Sequence, residues 1–136
     1  MSYDLILRQA LKLHDEGRLD EAERLYRQIL ETAPDHPVVL NLLGLVAQSK
    51  GLHEQAVSFF ARAVEQNPQS AEYHFNLAWS EERRGKAAEA IKAYLRALQL
   101  QPGIKEARNA LGNLYAGLGQ TERAREQYNQ AALLDP

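Results

Sequence analysis

The sequence predicts an all-α protein made of four helix hairpins, and three observations support this fold class. Prolines recur every 34 residues, glycines recur in step with them, and the intervening segments carry apolar residues at helical spacing. The periodic residues are Pro34, Pro68, Pro102 and Pro136, with Gly17, Gly51, Gly85 and Gly119. Independent columns that share one period indicate a tandem repeat of a single helical unit.

Each unit is expected to contain two helices separated by its glycine. Glycine adopts a left-handed turn at little cost and so ends the first helix, and the proline marks where the second helix has already ended. Pro37 suits the first turn of the third helix, where its missing N–H leaves no bond unmade. In chain order, the predicted units span residues 3–36, 37–70, 71–104 and 105–136, which form a single domain over residues 1–136.

Small residues recur between the turns and have a packing role. They allow the paired helix axes to approach closely, while an aromatic ring in each second helix fills the space beside them. On the first helices they are Gly44, Ala78 and Gly112, and on the second helices Ala56, Ala90 and Ala124. The rings are Tyr26, Phe60, Tyr94 and Tyr128.

These columns resemble the tetratricopeptide repeat over residues 3–136. That family has a small residue after a leucine, a glycine turn, an alanine, an aromatic residue, another alanine and a closing proline. The third unit matches this pattern in order with Leu77, Ala78, Gly85, Ala90, Tyr94, Ala97 and Pro102. The resemblance implies an α-α superhelix, a solenoid of four antiparallel helix hairpins, with the first helix of each pair lining a concave groove.

One departure from the family pattern concerns charge. Glu81 and Arg108 stand where the family often has aromatic residues, and we predict that they form an ion pair between the third and fourth hairpins. The alternative is that both side chains simply reach solvent.

Composition excludes several functional classes. The net charge of −2 and the pI of about 6.1 provide no basic surplus for nucleic acid. No apolar run approaches membrane-spanning length, and an acid at Asp4 makes the N-terminus a poor secretory signal, so a cytoplasmic location without membrane insertion is expected. The four histidines fall at different places in the repeat and there are no cysteines, so we expect no metal site, no cofactor and no catalysis.

The first helices offer the candidate binding residues. A helix turns by about 100° per residue, so residues four apart share one face, and by the family resemblance two such columns line the groove. The predicted peptide-binding residues are Leu7, Leu11, Asn41, Leu45, Phe75, Trp79, Asn109 and Asn113. Rings supply rigid apolar contact and asparagines bond a peptide backbone. The alternative is that Phe75 and Trp79 pack against neighbouring first helices and stiffen the fold.

Three functions stay open at this point. The first is a protein-interaction scaffold that binds a peptide in the groove, and the second is an N-terminal docking module of a larger glycosyl-, sulfo- or methyltransferase. The third is self-association through the end at Pro136, which lacks the usual capping helix. Capture of a C-terminal carboxylate as in chaperone-binding relatives is disfavoured, because the positions that would need lysine or arginine hold other residues, among them Glu72 and Glu106.

Overall fold

The computed structural model describes residues 3–134, and all regular structure in this range is α-helical. The helices are α1 Tyr3–Asp15, α2 Leu19–Thr32, α3 Pro37–Ser49, α4 His53–Gln66, α5 Ala71–Arg83, α6 Ala87–Leu100, α7 Lys105–Gly117 and α8 Thr121–Leu134. They pair as hairpins in chain order, as the period predicts. The fold class and the four hairpins are therefore confirmed.

The chain divides into two compact units, each with two hairpins. Unit 1 is Met1–Pro68 and contains α1 to α4, and unit 2 is Gln69–Pro136 and contains α5 to α8. The boundary falls at one of the periodic prolines. The prediction of a single domain over the whole chain stays a prediction.

The turns within the hairpins follow the predicted glycine chemistry. Gly17, Gly51, Gly85 and Gly119 have φ between 75° and 79°, the left-handed region that other residues adopt only with strain. After the first of them, the N–H of Arg18 donates to the carbonyl of Leu13 at 2.9 Å, which closes the helix end. The prolines at 34, 68 and 102 each follow a finished helix, and Pro37 begins α3. Pro136, on which the uncapped-end prediction rests, lies outside the described residues.

In unit 1 the core forms around the ring of Tyr26. This side chain is fully buried together with Ala10, Ala22 and Ile29, and its hydroxyl lies 2.8 Å from Nδ1 of His14. Burial, with a smaller contribution from the negative charge of Asp15, raises the pKa of Tyr26 to about 12.

In unit 2 the equivalent ring is Tyr94, which is also fully buried. Its hydroxyl donates to Oε1 of Glu82 at 2.8 Å. Burial first, and then the bond to the Glu82 carboxylate, raise the pKa of Tyr94, while the positive charge of Arg83 opposes them. The first hairpin of each unit thus ties its central ring to a polar residue near the end of its first helix.

The second hairpin of each unit uses glycine in a different way. A Cβ added at Gly44 would collide with the Phe60 ring, and one added at Gly112 would collide with the Tyr128 ring. The predicted role of these glycines as spacers is therefore confirmed. The two rings differ in cover, because Phe60 is fully buried whereas Tyr128 is 38% exposed.

The predicted ion pair between Glu81 and Arg108 is wrong. Glu81 instead pairs at 2.9 Å with Arg84, the residue that directly follows its own helix. The Arg108 guanidinium donates to the carbonyl of Pro102 and to the side chain of Gln127. Each charged group thus bonds groups that are closer along the chain than its predicted partner.

Candidate binding face

The predicted contact residues fall into one set in each unit. We call Leu7, Leu11, Asn41 and Leu45 the unit 1 face, and Phe75, Trp79, Asn109 and Asn113 the unit 2 face. Within each set, two residues one helical turn apart lie on each of the unit's first helices, which are α1 and α3 or α5 and α7.

The unit 1 face is apolar, with one buried amide. Leu7 packs against the core of unit 1, and Leu11 is 38% exposed. Leu45 is half-buried. Asn41 is only 5% exposed, so its side chain is the least accessible of the eight predicted contact residues.

On the unit 2 face, the two rings have different surroundings. Phe75 packs against the core of unit 2, and its edge meets the Tyr94 ring with centroids 5.6 Å apart. This contact with the second helix of its own hairpin was not predicted. Trp79, one turn further along α5, is half-buried and outside that core cluster. Of the two rings, Trp79 thus contributes less to the core.

A cation that sequence reasoning missed stands beside Trp79. The guanidinium carbon of Arg83, the last residue of α5, lies 4.2 Å from the centroid of the indole ring. The signal was present in the spacing, because residues four apart on a helix share a face. Arg83 therefore belongs with the unit 2 face.

The asparagines of unit 2 add polar groups. Asn109 is half-buried and Asn113 is exposed, and the Oδ1 of Asn113 accepts a hydrogen bond from the Tyr128 hydroxyl at 2.6 Å. Because that oxygen already accepts a bond, the amide NH₂ is the group with which the exposed Asn113 can donate. A donor of this kind suits the carbonyl groups of an extended backbone.

The described part of the chain has few features of other kinds of site. Two surface depressions, one beside Lys12 and Arg18 and one at the start of α8, include none of the eight predicted residues. No cluster of three or more potential metal ligands occurs among residues 3–134. The eight helices seen there have 13 or 14 residues each, and none has the length and hydropathy to cross a bilayer.

Comparison with known protein families gives consistent matches. A model described as tetratricopeptide repeat matches residues 13–78, and a second model with the same description matches residues 71–104 and 105–136. Together these matches cover most of the chain.

Individual proteins are similar as well. Human Superkiller complex protein 3 is 31% identical over 96% of this chain, and the match covers 9% of that protein. The TPR repeat-containing thioredoxin TTL4 of Arabidopsis thaliana is 33% identical over 60% of this chain and 12% of its own length. The chain thus spans about a tenth of these relatives. A crystal structure of MamA protein superimposes with a TM-score of 0.94 and 25% identity, over 98% of this chain and 73% of that one.

Proposed function

The chain belongs to the tetratricopeptide repeat family, and from this premise we propose that it is a protein-interaction scaffold whose first-helix faces bind a peptide segment of a partner protein. Family membership and the repeat-containing relatives support the scaffold role. The name of the human relative places that protein in a complex, which agrees with such a role. In this proposal the chain holds its partner and catalyses nothing.

The observation that carries the proposal is the environment of Trp79. Equivalent positions in the other hairpins hold Leu11, Leu45 and Asn113, which differ in size and polarity, so helix packing does not require a ring there. Yet the chain's only tryptophan stands at this place, partly exposed and outside the core cluster of unit 2. Tryptophan is enriched among residues that dominate the energy of protein interfaces.

The area of the Trp79 ring sets the size of the effect expected on peptide binding. A buried aromatic side chain removes roughly 150–250 Å² from water, which is worth about 4–6 kcal/mol before ordering costs. Since part of Trp79 is already covered, the gain on binding is smaller. We expect Trp79→Ala to weaken peptide binding by about 2 kcal/mol.

The test begins with a peptide selected against the chain itself. Linear dodecapeptides displayed on phage are selected on the immobilised protein, and the enriched sequences are made as fluorescein-labelled peptides with amidated C-termini. Fluorescence anisotropy then gives the affinity for each variant, and the emission of Trp79 shows whether the peptide approaches the ring.

The matched control is Leu95→Ala, which removes an exposed apolar side chain from the second helix α6. The proposal predicts that Trp79→Ala loses affinity, that Leu95→Ala retains it, and that the wild-type emission shifts on titration. If binding tolerates Trp79→Ala and the emission stays constant, the face assignment is wrong.

A second candidate function is supported by the relatives' length. Because the chain spans about a tenth of them, and one is named as a thioredoxin, the repeats could instead serve as the docking part of a longer enzyme. Transferase domains were the prediction from sequence, and the thioredoxin shows another class of domain in a protein with such repeats. The reading frame of the gene on both sides of this segment tests this candidate.

A further inference from the structure

We propose that the unit 2 face recognises an acidic group beside an apolar residue in the bound peptide, with Arg83 binding the carboxylate and Trp79 the apolar side chain. This inference rests on the proposed function and specifies the chemistry of its partner.

The first step concerns the charges at the end of α5. Four charged residues follow one another there, Glu81, Glu82, Arg83 and Arg84. Glu81 pairs with Arg84 at 2.9 Å, and Glu82 accepts a bond from the Tyr94 hydroxyl at 2.8 Å. The Arg83 side chain makes no ion pair or hydrogen bond with another residue of the range 3–134. Within that range, it is the one side chain of the four that has no ionic or hydrogen-bonding partner.

The second step concerns the geometry of the Arg83 guanidinium. Its carbon lies over the Trp79 ring, so one side of the planar group contacts an apolar surface. Stacking of this kind leaves the N–H groups at the edge free to donate, and an arginine edge matches the two oxygens of a carboxylate. Because the stack orders the side chain beforehand, less rotational entropy is lost on binding.

The third step concerns position along the helix. Glu72 is in the first turn of α5 and Arg83 is its last residue, so the two are separated by about 16 Å along the axis. Glu106 occupies the same early position on α7. The side-chain charges of Glu72 and Glu106 therefore disfavour an acidic ligand group beside them, whereas the charge of Arg83 favours one at the end of α5.

The simpler role for Arg83 is to shield the indole from water or to offset the helix dipole. Both of these roles predict an effect of Arg83 on the stability of the free chain and none on the choice of peptide. The proposed role predicts that the effect of Arg83 depends on an acidic residue in the ligand. A double-mutant cycle between protein and peptide measures this dependence.

The experiment uses the selected, C-terminally amidated peptides. We expect aspartate or glutamate next to an aromatic or aliphatic residue to be enriched among them. In the best binder, changing this acid to its amide should weaken binding to the wild type about tenfold and binding to Arg83→Ala less than twofold. Arg83→Lys should fall between the two, because lysine keeps the charge but loses the planar edge.

Two controls complete the design. Lys92→Ala removes one positive charge from the exposed surface of α6 and should leave affinity unchanged. Free-acid versions of the same peptides form a separate arm, and a gain that depends on the free C-terminus would identify a terminal carboxylate, not an acidic side chain, as the group that Arg83 binds. Thermal unfolding of each variant checks that it folds.

The outcomes separate this inference from the proposed function. One outcome is that binding depends on Trp79, but the amide change weakens it equally in the wild type and in Arg83→Ala. This outcome would overturn the inference and leave the scaffold proposal intact. Tighter binding to Arg83→Ala would also overturn it, because Arg83 would then be a cover for the ring. Binding that is insensitive to Trp79→Ala would contradict the proposed function itself.

Discussion

Unit 1 and unit 2 contain the same pair of hairpins, and equivalent residues lie 68 positions apart, which is two repeats of 34. The units agree where the scaffold requires it, since Tyr26 and Tyr94 are both fully buried and both bonded through their hydroxyls. They differ on their faces, where Leu11 in unit 1 corresponds to Trp79 in unit 2. The comparison separates positions that maintain the hairpin from positions whose residue type the hairpin does not dictate.

The charges near these faces differ in sign as well. The residue equivalent to Arg83 is Asp15, the last residue of α1. A cation beside a tryptophan in one unit thus corresponds to an anion one turn after a leucine in the other. Equivalent hairpins therefore present different chemistry, and variants at equivalent positions test which differences matter.

The largest difference in stability between equivalent variants of the two units is expected at the two glycines that contact rings. Gly44→Ala should destabilise unit 1 by about 2–3 kcal/mol, because the Phe60 ring is fully buried and has no room to move. Gly112→Ala should cost less than about 1 kcal/mol, since the partly exposed Tyr128 ring can turn outward and alanine favours the helix. Urea unfolding measures both variants, with circular dichroism reporting both units and Trp79 fluorescence reporting unit 2.

A second substitution in unit 1 checks the cause. Phe60→Leu in the Gly44→Ala background should recover part of the lost stability, because the smaller side chain makes room for the new methyl group. Equal losses for Gly44→Ala and Gly112→Ala would mean that the exposure of the ring does not control the cost.

The hydrogen bonds of the two tyrosine hydroxyls should also differ in how much they stabilise the fold, but by a smaller amount. Tyr94→Phe removes a bond to a carboxylate and is expected to cost about 1.5 kcal/mol, whereas Tyr26→Phe removes a bond to a histidine and should cost about 0.5–1 kcal/mol. Urea titrations at neutral pH measure both. A larger loss from Tyr26→Phe would contradict the assignment of the charged bond as the stronger one.

Alkaline pH gives a second measure of the same pair. Both pKa values are raised above the ordinary value near 10, that of Tyr26 to about 12, so the folded chain retains protons that the unfolded chain releases. The stability from this effect is present below pH 10 and is lost as the pH rises through 10 towards 12. The phenylalanine variants should lose less stability over that range than the wild type, as thermal unfolding at several pH values will show.

Replacing Ser80 in unit 2 is expected to increase stability. Its Oγ is buried without a hydrogen-bond partner in the described chain, and one repeat earlier the same position holds the buried Val46. Ser80→Ala should therefore stabilise the chain by about 1 kcal/mol more than Ser58→Ala, a control at an exposed helical serine. Equal effects of the two changes in urea unfolding would show that the Ser80 hydroxyl is satisfied in solution.

Much of the fold follows from local backbone rules, which is why the sequence predicts it. Gly17 and its repeats have the required left-handed φ, and Pro37 begins a helix as expected. These features depend on one residue and its neighbours in the chain. The period then extends them through all four hairpins.

Side-chain partners are less predictable because several candidates compete for each group. Glu81 bonds Arg84, at the end of its own helix, instead of the predicted Arg108, and the Phe75 ring meets Tyr94 on the second helix. The eight predicted contact residues can be assigned to helix faces from the period, but their exposure depends on packing. The burial of Asn41 and the stacking of Arg83 thus required coordinates.

The smallest expected effect concerns an ionic cluster between the hairpins of unit 1. The Nζ of Lys50 lies 2.5 Å from Asp20 and 2.9 Å from Glu23, and it lowers the pKa of both carboxyls. The equivalent residues of unit 2 are all apolar: Ala88, Ile91 and Leu118. At the same three positions, unit 1 thus has charged side chains and unit 2 has apolar ones.

Because Asp20 is exposed and Lys50 and Glu23 each keep more than a quarter of the side chain in water, their attraction is screened and offset by side-chain ordering. The triple variant Asp20→Ala, Glu23→Ile and Lys50→Leu should therefore change the Tm by no more than about 2 °C, since the apolar contacts replace the ionic ones. Lys50→Leu alone should lower it further than the triple variant, because Asp20 and Glu23 then lose the cation that they share and Glu23 keeps only its bond to Arg27. Thermal unfolding at low and high salt measures this, and added salt should reduce the penalty of the single variant while leaving the triple variant unchanged. If the triple variant is instead the least stable of the three proteins, the ionic cluster is specific to unit 1 and the two sets are not interchangeable.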